Sequence, residues 1–346
     1  MDYDAVVIVS FGGPEGREDV LPFLDNVLRG RNVPERRKLE VADHYYAMGG
    51  VSPIAAATRA MAAALRAELE GKGAHLPVYI GCRNWRPLLP DTLRKMTDDG
   101  VRRALAIVTS AFGSYSGCRQ YREDMARAQA AVGPAAPRLD KIRLFYNHPA
   151  FLAIWAERVR AGLAEAPAGS ELIFTAHSVP VAMAATGPYE EQLSEAARLI
   201  AGASGAAGFC VAVQSRSGPP SQPWLGPSLE SVLADCAARQ VPGVVVAPLG
   251  FLSDHMEVVY DLDHEARQQA ASLGLPMIRV KTPGDHPGFA ALLGKLILER
   301  VEPARPRLAA GRLGPWPDDC DTCIAHCCLQ QTSGQGLAPR ARSWPQ

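Results

Sequence analysis

A chain of 346 residues, 47% hydrophobic and 21% charged, is long enough for two α/β domains or one large one with a substantial core. Its 36 basic and 36 acidic side chains cancel, so no net field draws it to nucleic acid or to an anionic membrane, and recognition by charge has to be local. No apolar run approaches the roughly 18 residues of a bilayer span, and the start of the chain lacks the basic and apolar regions of a secretory signal. The expected compartment is therefore the cytoplasm, with no integral membrane association, where eight cysteines read as thiols or metal ligands rather than as a disulfide framework.

In chain order, short continuous apolar runs fall at residues 5–11, 77–81, 104–111, 172–176, 210–213, 243–249 and 277–280. Runs of this length, rich in β-branched residues, suit strands buried on both faces of a parallel sheet. Helical spacing separates them at 58–69, 151–163, 192–201, 257–272 and 289–300. The alternation predicts an α/β fold of two Rossmann-like lobes with parallel sheets and a cleft between them. We expect an N-terminal lobe over 1–137, a C-terminal lobe over 138–305 and a tail over 306–346, with the Gly- and Pro-containing stretch 131–141 as the linker. The tail is polar and holds half of the cysteines, so something other than apolar burial has to order it.

Ligands of parallel sheets collect outside the carboxyl ends of the strands. The run 172–176 leads into His177-Ser178-Val179-Pro180, and the run beginning at Gly243 leads into Leu252-Ser253-Asp254-His255-Met256-Glu257. An imidazole and a carboxylate at neighbouring strand ends can act as base and acid or bind a divalent metal, although a histidine there can equally cap a helix. Glu257, Asp261 and Glu265 recur at i, i+4 and i+8, which stacks them on one helical face, with Asp254, His255, Asp263 and His264 close by. Such a stripe is either a solvated acidic face or a path for a hydrated cation or for protons. In the tail, Cys320-Asp321-Thr322-Cys323 has the spacing that lets two thiolates reach one metal, and Cys328 adds a further step. An iron–sulfur cluster, a zinc site and free thiols stay open at this point. Cys327 competes with Cys328 as a ligand, and His326 is a further donor for zinc. Cys82, Cys210 and Cys236 sit in or beside apolar runs and read as small buried residues.

Five further stretches give these residues a context. Phe174-Thr175-Ala176-His177-Ser178-Val179-Pro180 and Gly250-Phe251-Leu252-Ser253-Asp254-His255-Met256-Glu257-Val258-Val259-Tyr260-Asp261-Leu262-Asp263 resemble the signatures of the ferrochelatase family. So do Ser10-Phe11-Gly12-Gly13-Pro14-Glu15, Gly49-Gly50-Val51-Ser52-Pro53-Ile54, and Gln214-Ser215-Arg216-Ser217-Gly218-Pro219 followed by Pro223-Trp224-Leu225-Gly226-Pro227. They lie in order over nearly nine-tenths of the chain. The resemblance implies a chelatase fold with a porphyrin cleft in which His177 and Glu257 face each other across the macrocycle, the groups that bind the Fe²⁺ substrate and remove pyrrole protons. It implies that Asp261 and Glu265 form a metal or proton route. It further implies that Arg29, Tyr45, Ser52, Arg83 and Trp224 contact the porphyrin, and that Cys118, Cys320, Cys323 and Cys328 hold a [2Fe–2S] cluster.

The segment from Arg29 to Tyr46 is strongly charged where membrane-associated relatives carry an apolar lip. That suits coproporphyrin III, a tetrapropionate, over the dipropionate protoporphyrin IX. The implied product is coproheme, and the implied partners are coproporphyrin III, ferrous iron, an iron donor and a coproheme-accepting enzyme. Two residues depart from the pattern. His44 stands where coproporphyrin-type relatives often have arginine, and Phe11 replaces a tyrosine able to ligate iron, so axial ligation from that side is not expected. The competing readings are a protoporphyrin IX ferrochelatase, a chelatase loading cobalt or iron into sirohydrochlorin, and a non-catalytic tetrapyrrole- or iron–sulfur-binding protein. A dinucleotide enzyme is disfavoured, because Gly12-Gly13-Pro14 is not the glycine pattern that cradles a pyrophosphate.

Overall fold

The computed structural model describes residues 2–30, 33–218, 221–302, 304–313 and 328–329. Its continuous apolar runs build two four-stranded sheets, parallel throughout. The first comprises β1 (Ala5–Ser10), β2 (Val78–Cys82), β3 (Arg103–Val108) and β4 (Arg138–Lys141) in the order β2-β1-β3-β4. The second comprises β5 (Glu171–His177), β6 (Phe209–Gln214), β7 (Val244–Ala247) and β8 (Met277–Arg279) in the order β6-β5-β7-β8. The two orders are the same topology written twice, as two Rossmann-like lobes require. Every residue of β1 and of β7 is buried, which explains why these strands are apolar on both faces instead of alternating.

Helices cover both faces. The first lobe carries α1 (Val20–Leu28), α2 (Glu35–Ala47), α3 (Ile54–Gly71), α4 (Leu89–Asp98) and α5 (Gln120–Val132). The second carries α6 (Pro149–Glu165), α7 (Val181–Ala184), α8 (Tyr189–Ser204), α9 (Leu229–Ala238), α10 (Met256–Val258), α11 (Arg267–Ser272) and α12 (Pro287–Val301). Between α10 and α11 the chain stays helical but winds into a wide π-helical segment, Val259–Ala266.

The linker expected at 131–141 is corrected by β4. Its sequence, Arg-Leu-Asp-Lys, has no apolar run because it is an edge strand. It pairs with β3 all the same, with Leu139 opposite Ala104, so the first sheet extends past residue 137. The Gly- and Pro-containing stretch is the turn between α5 and β4. The lobes are also not sequential units at their far ends, because α12 returns to pack on α3 of the first lobe as well as on α6. Gly294 permits that approach, since a Cβ there would stand 2.9 Å from Glu68 Cγ.

A buried ion pair fixes the chain that leaves α12. Arg143 donates to Glu299 at 2.8 and 3.1 Å and to the Leu308 carbonyl at 2.8 Å, while the Leu308 N–H donates back to Glu299. Both side chains are almost fully buried. Losing one partner of such a pair costs on the order of 3–5 kcal/mol, because the other is left as an uncompensated charge.

Candidate active site

The site forms where β5 and the segment after β7 leave the second sheet side by side. Gly250 makes the approach possible: its N–H donates to the Thr175 carbonyl at 3.0 Å, and a Cβ there would stand 2.7 Å from Ala176 Cβ. The chain after β7 is thereby held against the end of β5, and α10 brings Glu257 in front of His177. The His177 Nε2 lies 3.7 Å from Glu257 Oε2, with the two side chains 31% and 49% exposed, so both stand together on one open wall. The expectation that they face each other across a macrocycle is thereby corrected, because 3.7 Å leaves no room for a ring between them.

The histidine's other nitrogen is spoken for. Nδ1 lies 2.5 Å from the Ser178 carbonyl, to which it donates, which leaves Nε2 as the working atom. Burial opposes charge on the imidazole, but the Glu257 carboxylate outweighs it, with the Ser178 carbonyl assisting, and the His177 pKa rises above its ordinary value. Burial likewise opposes charge on Glu257, and the His177 charge outweighs it, holding the carboxyl well below the usual carboxylate range. The signs fix the pH window. The pair's contribution to stability is complete between the ordinary values of 4.5 for the carboxyl and 6.5 for the imidazole. It is lost as pH rises through the raised His177 value or falls through the lowered Glu257 value.

The acidic residues near Glu257 divide into two sets. Arg279, at the end of β8, donates to Asp263 at 2.9 and 2.6 Å and to Asp254 at 3.2 and 3.1 Å, and Thr282 completes Asp254 at 2.9 Å. Those two carboxylates are therefore part of the scaffold. Asp261 is different. Its polar contact is the Ser215 hydroxyl, which donates to Oδ2. Burial, with the charges of Glu257 and Glu265 added, pushes its pKa up to about 6. The 259–266 segment is π-helical, and Glu257 and Glu265 both lie near enough to Asp261 to act on it by charge. Asp261 and Glu265 line a cavity of about 650 Å³ together with Ser215, Arg216, Trp224 and Gln269. A carboxyl poised near neutrality beside a water-accessible cavity can pass a proton or hold a hydrated cation.

The first lobe supplies the facing wall. Phe23, Tyr45 and Trp85 form an aromatic cluster that Met256, from α10, joins, with Tyr260 packed against it. Burial, and then the Glu257 charge, raise the Tyr45 pKa, so the phenol stays protonated and stands within the field of the carboxylate. The His44 ring stacks on Tyr260 at 4.0 Å between centroids and 9° between planes, which ties α2 to the acidic segment.

The remaining porphyrin-contact candidates have varied surroundings. Arg29 is exposed at the end of α1 and donates to Asn26 Oδ1, whose amide in turn donates to the Asn84 carbonyl at 3.1 Å. Among the described residues the other lip cations pair locally: Arg36 and Arg37 with Glu40, and Lys38 with Asp25 and Glu35. Arg83 is engaged by Asp124 at 2.8 Å and lies over the rings of Tyr121 and Phe11, so it meets the cleft through Phe11. Ser52 is buried beneath Gly13, its N–H donating to the Pro14 carbonyl. Trp224 covers Gly218 and belongs to the 650 Å³ cavity.

Cys118 is buried in the turn Tyr115–Arg119, and Cys328 is buried against the turn between α7 and α8. The Cys328 N–H donates to the Thr186 carbonyl, and its Sγ lies 3.0 Å from the Cβ that Gly187 lacks. Cys320, Cys323, His326 and Cys327 lie outside the described residues. Among the described residues no group of three or more His, Cys, Asp or Glu is arranged to hold a metal ion. Burial pushes the thiols of Cys82 and Cys210 up to about 12 and that of Cys236 up to about 11, in keeping with inert core residues.

Sequence reading missed Arg279, Ser215, Gln214 and Tyr189. Arg279 and Tyr189 are remote in sequence from their partners and carry no motif. Ser215 and Gln214 lay inside a quoted motif, which says nothing of what each side chain touches.

A family model described as ferrochelatase matches residues 3–301. The chain is similar to a ferrochelatase of Rhodopirellula baltica, 48% identical over 94% of this chain and 93% of that one. It is similar to coproporphyrin III ferrochelatases of Nocardia farcinica, 49% identical over 96% and 98%, and of Mycobacteroides abscessus, 48% identical over 92% and 94%. Among solved structures it resembles SirB from Bacillus subtilis with Fe³⁺, with a TM-score of 0.51 at 11% identity over 88% of this chain and 98% of the other. That likeness is one of fold. It matches the two-lobed architecture expected from the strand and helix pattern.

The charge coupling at the site makes one prediction. Glu257→Gln removes the carboxylate that holds the His177 proton and leaves burial to act against it, so the His177 midpoint, followed by NMR, falls below the wild-type value. An unchanged midpoint contradicts the coupling.

Proposed function

The chain belongs to the ferrochelatase family, and on that premise we propose that it inserts Fe²⁺ into coproporphyrin III to give coproheme. The observation that carries the reading is the His177–Glu257 pair on the open wall at the carboxyl edge of the second sheet, backed by Asp261 and Glu265. The similar proteins named as coproporphyrin III ferrochelatases support the choice of porphyrin. So does the exposed Arg29 at the mouth of the first lobe, a cation suited to a propionate. The proposal places the reaction in the cytoplasm, between an iron donor and a coproheme-accepting enzyme.

Insertion breaks two pyrrole N–H bonds and forms the iron–nitrogen bonds, so two protons leave as the dication enters and the metal's oxidation state is unchanged. In its deprotonated form His177 offers the Nε2 lone pair, its Nδ1–H being held by the Ser178 carbonyl. That atom takes a proton, and the Glu257 carboxylate stabilises the resulting imidazolium. The same two groups suit a ferrous ion that is shedding water. Asp261, with its pKa near 6, and Glu265 pass protons or the hydrated cation between the pair and the 650 Å³ cavity. The buried aromatic cluster backs the partly exposed side chains packed on it, Phe11 and Tyr260 among them, which supply an apolar face for the macrocycle.

The substrate assignment is tested by anaerobic Fe²⁺ insertion, followed as loss of porphyrin fluorescence, with coproporphyrin III and protoporphyrin IX side by side. Faster turnover of the tetrapropionate, by about tenfold or more in kcat/KM, is the expected result. Preference for protoporphyrin IX contradicts it.

We further infer a [2Fe–2S] cluster held by Cys118, Cys320, Cys323 and Cys328. Two of these thiols are buried, and Gly187, against which Cys328 rests, abuts the carbonyl of Gly113 just before the turn that carries Cys118. When bound, the cluster would tie the tail to the body through iron–sulfur bonds. Cys320→Ser should lose both visible absorbance and protein-bound iron. Purified wild-type protein that contains zinc and no iron contradicts the assignment.

A further inference from the structure

His177 and Glu257 belong to two separate backbone segments, and two side chains outside the pair hold those segments. The peptide between His177 and Ser178 is gripped at both ends. The Tyr189 hydroxyl donates to the His177 carbonyl at 3.0 Å, and the Ser178 N–H donates to the Gln214 carbonyl at 2.8 Å. The Gln214 side chain then reaches the other segment, its Nε2 donating to the Glu257 carbonyl at 3.2 Å. Gln214 therefore touches both arms of the site, through its backbone on one side and its amide on the other.

Both residues are buried. Burial raises the Tyr189 pKa, so the phenol keeps the proton it donates. Tyr189 is itself well anchored. It opens α8 three residues after Thr186, whose carbonyl accepts from Cys328 and whose hydroxyl donates to the Leu329 carbonyl. The imidazole follows this peptide, because it hangs from the His177 Cα that the peptide fixes, and its Nδ1 is tied to the carbonyl of the next peptide along, that of Ser178. A tilt of the peptide plane moves Nε2 relative to Glu257.

We propose that Tyr189 and Gln214 are positioning residues that set the separation and facing of His177 and Glu257 without touching substrate. The proposal rests on the reading of that pair given above. An error of about 1 Å in such a geometry can cost on the order of a hundredfold in rate, and the loss of one of several restraints costs less.

The test uses full-length Tyr189→Phe and Gln214→Met, each assayed for kcat and porphyrin KM, with hydrogen exchange at the Ser178 amide and with His177→Ala as reference. The expected result is a fall in kcat on the order of tenfold in each variant, with porphyrin KM within about twofold of wild type. Exchange at Ser178 is expected to be faster. Should Tyr189→Phe fail to fold, Gln214→Met decides, since it leaves every backbone contact in place. Wild-type kcat in the folded variants beside an inactive His177→Ala overturns the positioning role alone. A parallel rise in porphyrin KM overturns it as general disruption of the cleft. Near-normal turnover by His177→Ala overturns the reading of the pair, and the proposal with it.

Discussion

The 3.7 Å approach of the His177 imidazole to the Glu257 carboxylate sets the charge state of the whole cleft. Each group alone would be driven toward its neutral form by partial burial. Facing each other, they are both driven toward charge, the imidazole upward and the carboxyl downward. The same negative charge then falls on its neighbours. It helps to push Asp261 up to about 6 and reinforces the protonated phenol of Tyr45 on the opposite wall. One contact thus yields an imidazole of raised basicity, an anion able to meet a cation, and a carboxyl that titrates near neutrality.

Keeping that contact requires the rest of the fold. The second parallel sheet delivers the ends of β5 and β7 to one edge, and Gly250 lets the second segment lie directly against the first. The negative charge that gathers there would repel itself if it all stayed free. Arg279 prevents this by engaging Asp254 and Asp263, so the uncommitted acids are those that face the cavity. The π-helical winding presents them from a short stretch of chain, a form often associated with functional segments.

Much of this was legible in the sequence, for identifiable reasons. Seven of the strands lie in apolar runs, and β1 and β7 do so because they are buried on both faces; His177 closes β5, and the loop after β7 leads to Glu257. β4 was not legible, since an edge strand of polar residues lacks the buried face that makes a pattern. Helices α2, α4, α5, α7 and α9 went unread, and α2 shows why: it is rich in charge and buries only Ala42 and Tyr45. The i, i+4, i+8 spacing found the acidic stripe but could not sort it, because the deciding cation, Arg279, arrives from β8. Nor could spacing foresee that Arg83 meets Asp124, or that Ser52 lies beneath Gly13, since both depend on chain brought in from elsewhere. The tail's C-x-x-C falls outside the described residues, and of its motif only Cys328 is seen, seated on the turn before α8.

The most direct measurement is an anaerobic single turnover of His177→Ala against wild type, with porphyrin binding read by fluorescence anisotropy and insertion by absorbance in the same sample. If the Nε2 atom carries the proton and metal chemistry, the variant binds porphyrin as wild type does and forms no metalloporphyrin over many wild-type turnover times. Insertion at close to the wild-type rate would contradict that role.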